Sequence, residues 1–514
     1  MNKNKQLMIN LSAQVIAFLV NAGISFVLTP YIVSCLGKET YGFFGLANNF
    51  VQYAQIITVA LNSVAGRFIT ISIHRDDNEK ASRYLTSVVF ANAIIGGMLT
   101  IPSVFVVLFL NRLVNISPDI YMDVQILWAL VFFNFILGIV AAVFNTATFA
   151  KNRLELSSLR NIESYIMRAL LLVVAYVCFK AHVWYLGLAS VLCTIYVAIW
   201  NIHYTHKLLP ECKVKRKYID FKAIRELLSS GIWNSFTRLS GVLSTGLDLL
   251  IANLFVSGAA MGDLSVAKTL PGTILAMFGL LASAFAPQLT ISYAKNDFDD
   301  IKRQLKFSMK LLGVFSAIPT AFLFAFGKEF YSLWMPSQNS VLLQQLSIAS
   351  SVAFIFSLPL ESLWNVFTVT NKLKWSSLCL LGCSVGSIAI VFATVPFVSD
   401  TDTAMKLFII AGASTLFSII RALTFLPMYG AHCLGFSKWA FYPEILKNMF
   451  SVLVVTAFSY LVKQFIVADS WFKLIVDTAI ISCFALVLCW FTLLKKEERA
   501  HAKNLVASKL KRSE

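Results

Sequence analysis

The chain has 514 residues, of which 58% are hydrophobic and 13% charged, with a mean hydropathy of +0.74. Such a balance excludes an ordinary soluble domain and belongs to an integral membrane protein. The net charge of +17 would suit a nucleic-acid binder, but the basic residues sit between apolar stretches, where they meet anionic lipid headgroups instead, so no nucleic acid is expected as a partner.

Fourteen apolar stretches are long enough to cross ~30 Å of hydrocarbon as helices. They run over 11–33, 42–66, 84–110, 121–149, 160–180, 184–203, 227–256, 263–292, 307–327, 340–370, 376–397, 404–427, 447–467 and 473–494. The expected fold is therefore all-α and polytopic. The opening MNKNKQLMIN resembles the basic region of a signal peptide, but the apolar segment behind it is too long for cleavage, so it reads as an uncleaved first span. With an inward N-terminus and alternating spans, the inward loops and both tails hold 31 of the 43 Lys and Arg residues. The outward loops hold Lys38, Arg112, Lys180, Lys328 and Lys473, so both termini are expected in the cytoplasm and the protein in the cytoplasmic (inner) membrane.

Polar residues in the spans recur at helical spacing. The first span carries Asn10, Gln14, Asn21 and Ser25 on one face, and the second carries Asn48, Gln52, Gln55 and Asn62. The fourth has Asn134, Gly138 and Asn145, the seventh Asn234, Arg238, Thr245 and Asp248, and the tenth Glu361, Asn365 and Thr368. Amides facing lipid are costly, so these stripes face protein or water, and a shared polar cavity accounts for them better than separate interhelical bonds. Arg67, Arg168, Arg238, Lys268 and Arg421 lie within spans. Arg67, Arg168 and Arg421 are expected near cytoplasmic ends, where they can also snorkel. Interior carboxylates are few: Asp248, Glu361 and Glu163. The surplus of interior cations suits an anionic ligand, and guanidinium forks match phosphate oxygens. Asp248 has two readings, a coupling-ion site or the partner of Lys268 on the next helix. Glu361 is the second coupling-ion candidate. Cys379 and Cys383, one helical turn apart with no His or carboxylate nearby, read as core packing, with no metal expected.

Aligning the chain with itself at an offset of 220 residues reveals an internal repeat. GRFITISIHRDDNEKASRYL from Gly66 faces APQLTISYAKNDFDDIKRQL from Ala286, with Arg75 on Lys295 and Arg83 on Arg303. Gly42 falls on Gly262, Asn145 on Asn365 and, one residue of slip later, Asn152 on Asn371. Matching loop charges in one register exceed what shared apolarity explains. Two six-helix lobes of equal orientation are expected, 1–206 and 227–428, joined by a basic cytoplasmic linker, 207–226. Two additional spans, 429–494, and a basic tail, 495–514, follow.

The stretch PYIVSCLGKETYGFFGLAN, Pro30 to Asn48, reads as a Pro30-interrupted helix end, a tight turn at Gly37, and a second helix whose Gly42 and Gly45 permit close packing. Its Pro-Tyr, Leu-Gly and Tyr-Gly pattern resembles the N-terminal signature of Wzx-like polysaccharide (O-antigen) flippases, in the multidrug/oligosaccharidyl-lipid/polysaccharide exporter superfamily. Fourteen spans, two lobes and basic inner loops extend the resemblance over nearly the whole chain. It implies translocation of a polyprenyl-pyrophosphate-linked oligosaccharide by alternating access, in the synthesis of a cell-surface polysaccharide such as O-antigen or capsule. Membrane lipids and the polysaccharide polymerase machinery are the implied partners, with no cofactor. On that implication Arg67, Arg238, Lys268, Arg168 and Arg421 hold the diphosphate, and Asn48, Gln52, Gln55, Asn62 and Asn234 bind sugar hydroxyls. The last two spans form an apolar groove for the polyprenyl tail. A peptidoglycan-precursor flippase shares the architecture, but the first span lacks a dense arginine cluster. A drug antiporter would favour interior acids. A polytopic polymerase or glycosyltransferase would need a larger outward loop and catalytic carboxylates, so an enzyme is not expected.

Overall fold

A computed structural model describes residues 3–245, 247–370, 372–399, 402–466 and 468–492; the expected basic tail lies outside them, as do Asn371 and the side chain of Thr245. Among the described residues the chain is helical without strands. It divides into two units, Met1–Ser265 and Val266–Glu514.

The first unit contains α1 (Lys3–Leu36), α2 (Lys38–His74), α3 (Asn78–Leu108), α4 (Tyr121–Ala142), α5 (Leu154–Cys178), α6 (Trp184–Leu208), α7 (Phe221–Thr245) and α8 (Asp248–Phe255). Helix α9 (Gly258–Ala267) runs across the division, its last two residues counting with the second unit. The second unit holds α10 (Thr269–Ser283), α11 (Ala286–Ala294), α12 (Phe298–Trp334), α13 (Ser340–Ser351), α14 (Leu373–Thr394), α15 (Thr403–Leu423), α16 (Phe425–Cys433), α17 (Tyr442–Phe465) and α18 (Trp471–Thr492).

Twelve helical segments among the described residues are long and apolar enough to cross a membrane, or thirteen if the pair Ser340–Ser351 and Phe354–Val369, bent by 41°, is one span. The remaining expected stretch, 227–256, does not form one apolar helix: it is divided into α7 and α8. Helix α2 has 37 residues, roughly 55 Å at ~1.5 Å per residue, so it outruns a hydrocarbon layer of ~30 Å.

The repeat is visible in local geometry. Asp76 (φ 57°) and Asn296 (φ 56°) occupy the same left-handed turn position. In each turn the next residue donates its N–H across the turn: Asp77 to the Ser72 carbonyl and Asp297 to the Ser292 carbonyl, both at 3.0 Å. The carboxylates of Asp77 and Asp297 then cap the following helix, accepting from the Lys80 and Asp300 N–H groups. Asn152 (φ 53°) makes a related turn, with Arg153 N–H donating to the Thr148 carbonyl at 2.7 Å. Lys372 N–H repeats that bond to the Phe367 carbonyl at 2.9 Å. Continuity differs between the halves: α2 is unbroken, whereas the matching 258–294 is interrupted at Lys268 and again between α10 and α11. Lys268 stands where the repeat has Asn48.

Gly37 (φ 80°) makes the turn expected of it, in a conformation that favours glycine. Pro30 differs from expectation: it sits inside α1, which continues to Leu36. The two additional spans pack on α12. Asn448 of α17 donates to the Met309 carbonyl at 3.1 Å, and Lys463 donates to the Ala325 carbonyl at 2.6 Å and pairs with Glu329 at 2.8 Å. A Cβ at Gly313 would stand 2.0 Å from Asn448 Oδ1, so only glycine admits this contact.

Candidate functional site

The first unit contains an amide-lined hollow. It begins on α2, where Asn48, Gln55 and Asn62 are spaced by seven residues and so return to one face after two turns. These three, with Asn134 and Gly138 of α4, line a cavity of about 620 Å³. An adjoining cavity of about 540 Å³ shares Asn48, Asn134 and Gly138 and continues past Asn145, Asn161, Asn201 and Arg168. Both volumes fall in the range of small-molecule sites, ~300–1,000 Å³.

Helix α7 closes on the neighbouring flank of α2. A Cβ at Gly231 would stand 1.8 Å from the Ala60 carbonyl oxygen, so the helices meet backbone to backbone. That approach lets Ser235 donate to the Ile56 carbonyl at 2.8 Å and Asn234 donate to Ser63 Oγ at 3.0 Å. One turn on, Arg238 Nη2 donates to Gln55 Oε1 at 2.8 Å and reaches Gln52 Oε1 at 3.5 Å. Three residues selected from two separate stripes are thereby joined, Gln52, Gln55 and Arg238, while Asn234 of the second stripe reaches Ser63 instead. Arg238 is half-buried, and these hydrogen bonds go to neutral amides, which do not compensate its charge.

Asn62 is committed as well as cavity-lining. It exchanges hydrogen bonds with the fully buried Asn92, at 3.1 and 2.9 Å, and Asn92 also donates to the Ile139 carbonyl at 3.0 Å. Asn92 is the one amide in the apolar stretch of its helix, so periodicity gave no signal for it. Asn48 donates back to the Phe44 carbonyl at 2.8 Å, leaving its Oδ1 for the cavity.

Arg168 is set well inside its helix. Because α5 starts at Leu154, Arg168 is fourteen residues from one end and ten from the other, roughly 21 and 15 Å. It is therefore central, and it lines the second cavity. Its Nε is enclosed with no protein hydrogen-bond partner among the described residues, and its guanidinium lies 5.9 Å from the Phe44 ring. Glu163, the nearer of the two carboxylates on the same helix, is engaged by Arg160 at 2.6 Å and by Tyr196.

Arg67 is exposed, seven residues from the end of α2. Asp248 is buried at the start of α8. In the second unit, Lys268 forms the turn between α9 and α10. Arg421 is two residues from the end of α15, donates to Ser418 Oγ at 3.3 Å and lies 5.7 Å from the Trp364 ring. Glu361 is half-buried in a 3₁₀ turn, Leu358–Leu363, and Asn365 donates to the Ala282 carbonyl at 2.9 Å. The α1 stripe does not line either cavity. Asn10 instead ties α1 to the turn before α5, donating to Asn152 Oδ1 at 2.8 Å, and Gln6 donates to Glu155 at 2.9 Å.

The fold is that of multidrug/oligosaccharidyl-lipid/polysaccharide exporter transporters. The lipid II flippase MurJ in an inward closed conformation is similar with a TM-score of 0.66, covering 94% of this chain and 98% of that one at 14% identity. An inward-facing multidrug resistance MATE transporter is similar with a TM-score of 0.61, covering 83% and 98% at 13% identity. Residues 7–291 match the family described as polysaccharide biosynthesis protein. The uncharacterized membrane protein EpsK of Bacillus subtilis (strain 168) is 30% identical over 496 residues, covering 96% of each chain. This chain belongs to the polysaccharide biosynthesis protein family.

Proposed function

We propose that the protein is a flippase that moves a polyprenyl-pyrophosphate-linked oligosaccharide from the inner to the outer leaflet of the cytoplasmic membrane, by alternating access and without catalysing a covalent step. The observation that carries this reading is the Arg238–Gln55–Gln52 cluster beside an amide-lined cavity within membrane-spanning helices. A guanidinium held by neutral amides in low dielectric retains its affinity for phosphate oxygens. Amides present both donors and acceptors, the complement of a sugar hydroxyl. In this reading Arg238, Arg67, Lys268 and Arg421 serve the diphosphate, and Asn48, Gln52, Gln55, Asn62 and Asn234 serve the sugars. Asp248 and Glu361 are the coupling-ion candidates.

Membership of a polysaccharide biosynthesis family and a fold shared with a lipid II flippase support the substrate class. Residues 1–206 and 227–428 act as the two lobes joined by the linker 207–226, both termini are cytoplasmic, and the segment 429–494 serves the polyprenyl tail. O-antigen or capsule assembly, in company with a polymerase, is the corresponding pathway.

The test is lipid-linked oligosaccharide in cells lacking the protein. The intermediate is expected to accumulate and to be cleared by wild type but not by Arg238→Ala at equal expression. No accumulation refutes the pathway. Full rescue by Arg238→Ala removes Arg238 from the diphosphate site.

A further inference from the structure

We infer that the Arg168 cavity is a saccharide subsite inside the first unit, built to hold a sugar that carries an oxyanion, such as the carboxylate of a uronic acid. The inference rests on the flippase reading and deepens it: Arg168, grouped with the diphosphate cations by charge alone, serves the sugar end of the substrate.

Three observations converge. First, the cavity of about 540 Å³ is walled by α2, α4, α5, α6 and the turn after α4, all in one unit, and has Asn48, Asn134, Asn145, Asn161 and Asn201 around Arg168. Among its lining residues Arg168 is the one charged side chain, and none is a carboxylate. Second, three of the polar groups are unspent, although Asn145 Oδ1 accepts from Ser157. Asn134 Oδ1 and Asn201 Oδ1 are enclosed without a protein hydrogen-bond partner among the described residues, as is Arg168 Nε. An amide or guanidinium in that condition costs stability unless a ligand or solvent fills it, and three in one hollow mark a built recognition surface. Third, Arg168 is fourteen residues into its helix, and Glu163 on that helix is already engaged by Arg160 and Tyr196, so no carboxylate of the cavity lining offsets the Arg168 charge.

The chemistry follows from the set. Five amides around one guanidinium match a polyol with a single fixed anion. A bare diphosphate would leave most of the amides unpaired. The two cavities share Asn48 and Asn134, so the hollow extends from the Arg168 end to Gln55, the acceptor of Arg238. A glycan can thus reach from the Arg238 cluster towards Arg168.

The test is titration of the purified full chain, in detergent, with trigalacturonate, with maltotriose and with inorganic diphosphate. Trigalacturonate is expected to bind at least tenfold more tightly than maltotriose. Arg168→Gln levels the two, Arg168→Lys keeps part of the preference because the charge remains, and Asn134→Leu weakens both. Size-exclusion profiles and the retained preference of Arg168→Lys separate a lost site from a lost fold. Equal binding of the two saccharides by wild type, or a preference that survives Arg168→Gln, overturns the inference. Diphosphate that displaces trigalacturonate from wild type but binds Arg168→Gln poorly assigns the site to the diphosphate and also overturns it. Accumulation of the lipid-linked intermediate on deletion does not depend on Arg168. Accumulation with a failed titration removes the subsite alone, whereas no accumulation with intact acidic-sugar binding removes the flippase reading alone.

Discussion

Gly231→Ala perturbs the one contact on which the Arg238 cluster depends. The added methyl would stand 1.8 Å from the Ala60 carbonyl oxygen and 2.7 Å from its carbon, and these are backbone atoms that cannot rotate away. Ordinary carbon–oxygen contact begins near ~3.3 Å, so α2 and α7 must separate by roughly 1.5 Å. The Arg238–Gln55 bond, now 2.8 Å and seven residues further along the same face, would stretch beyond any useful hydrogen-bond length. Overpacking costs about 1–3 kcal/mol and a lost charged hydrogen bond about 1.5–3 kcal/mol, so a destabilisation of about 2.5–6 kcal/mol is expected. Gly241→Ala in the same helix is the control, because nothing lies within 4 Å of its added Cβ, and helix propensity then favours alanine by up to ~1 kcal/mol. Thermal unfolding of the purified protein, with complementation of the deletion, reads both. Ala60→Gly should not rescue Gly231→Ala, since the carbonyl remains. Equal midpoints for Gly231→Ala and Gly241→Ala, with full complementation by both, would refute the reasoning.

Asn92→Ala leaves the Asn62 amide and the Ile139 carbonyl without their partner, and should lower thermal stability by about 1–3 kcal/mol while loosening the cavity wall. Gly313→Ala drives a Cβ into Asn448 and breaks its bond to Met309, so α17 should become more accessible to cysteine labelling at buried Val452. Asp477, fully buried in α18 with neither carboxylate oxygen hydrogen-bonded, should tolerate Asp477→Asn with equal or higher thermal stability, because an ionised oxygen pair there is uncompensated.

The α2 stripe was legible because amides seven residues apart have no reason to recur on one face of an apolar helix unless that face is polar. The joining of Gln52 and Gln55 to Arg238 was not, since it depends on a glycine 171 positions beyond Ala60. The helix that carries Arg168 is longer than its apolar stretch, because apolarity marks only the centre of a span. The polar first turns of α5, from Leu154 to Glu163, are helical without being apolar. Asn161 stands seven residues before Arg168 and Asn201 seven after Thr194, a helical spacing that is easily passed over, and only the packing of α5 on α6 and α4 places them around one cavity. The α1 stripe showed the reverse failure: its period was real, but Asn10 serves a turn rather than a ligand. Among the spans, the seventh stretch looked continuous because a helix break is not visible in composition.

Translocation itself is the most direct test. Wild-type protein reconstituted into vesicles should move a fluorescent polyprenyl-diphosphate oligosaccharide between leaflets, measured by its accessibility to a membrane-impermeant quencher. Arg238→Ala should slow that movement at least tenfold, and a cationic dye should not be transported. Leaflet exchange no faster than in protein-free vesicles, or transport of the dye in place of the glycolipid, would contradict the account.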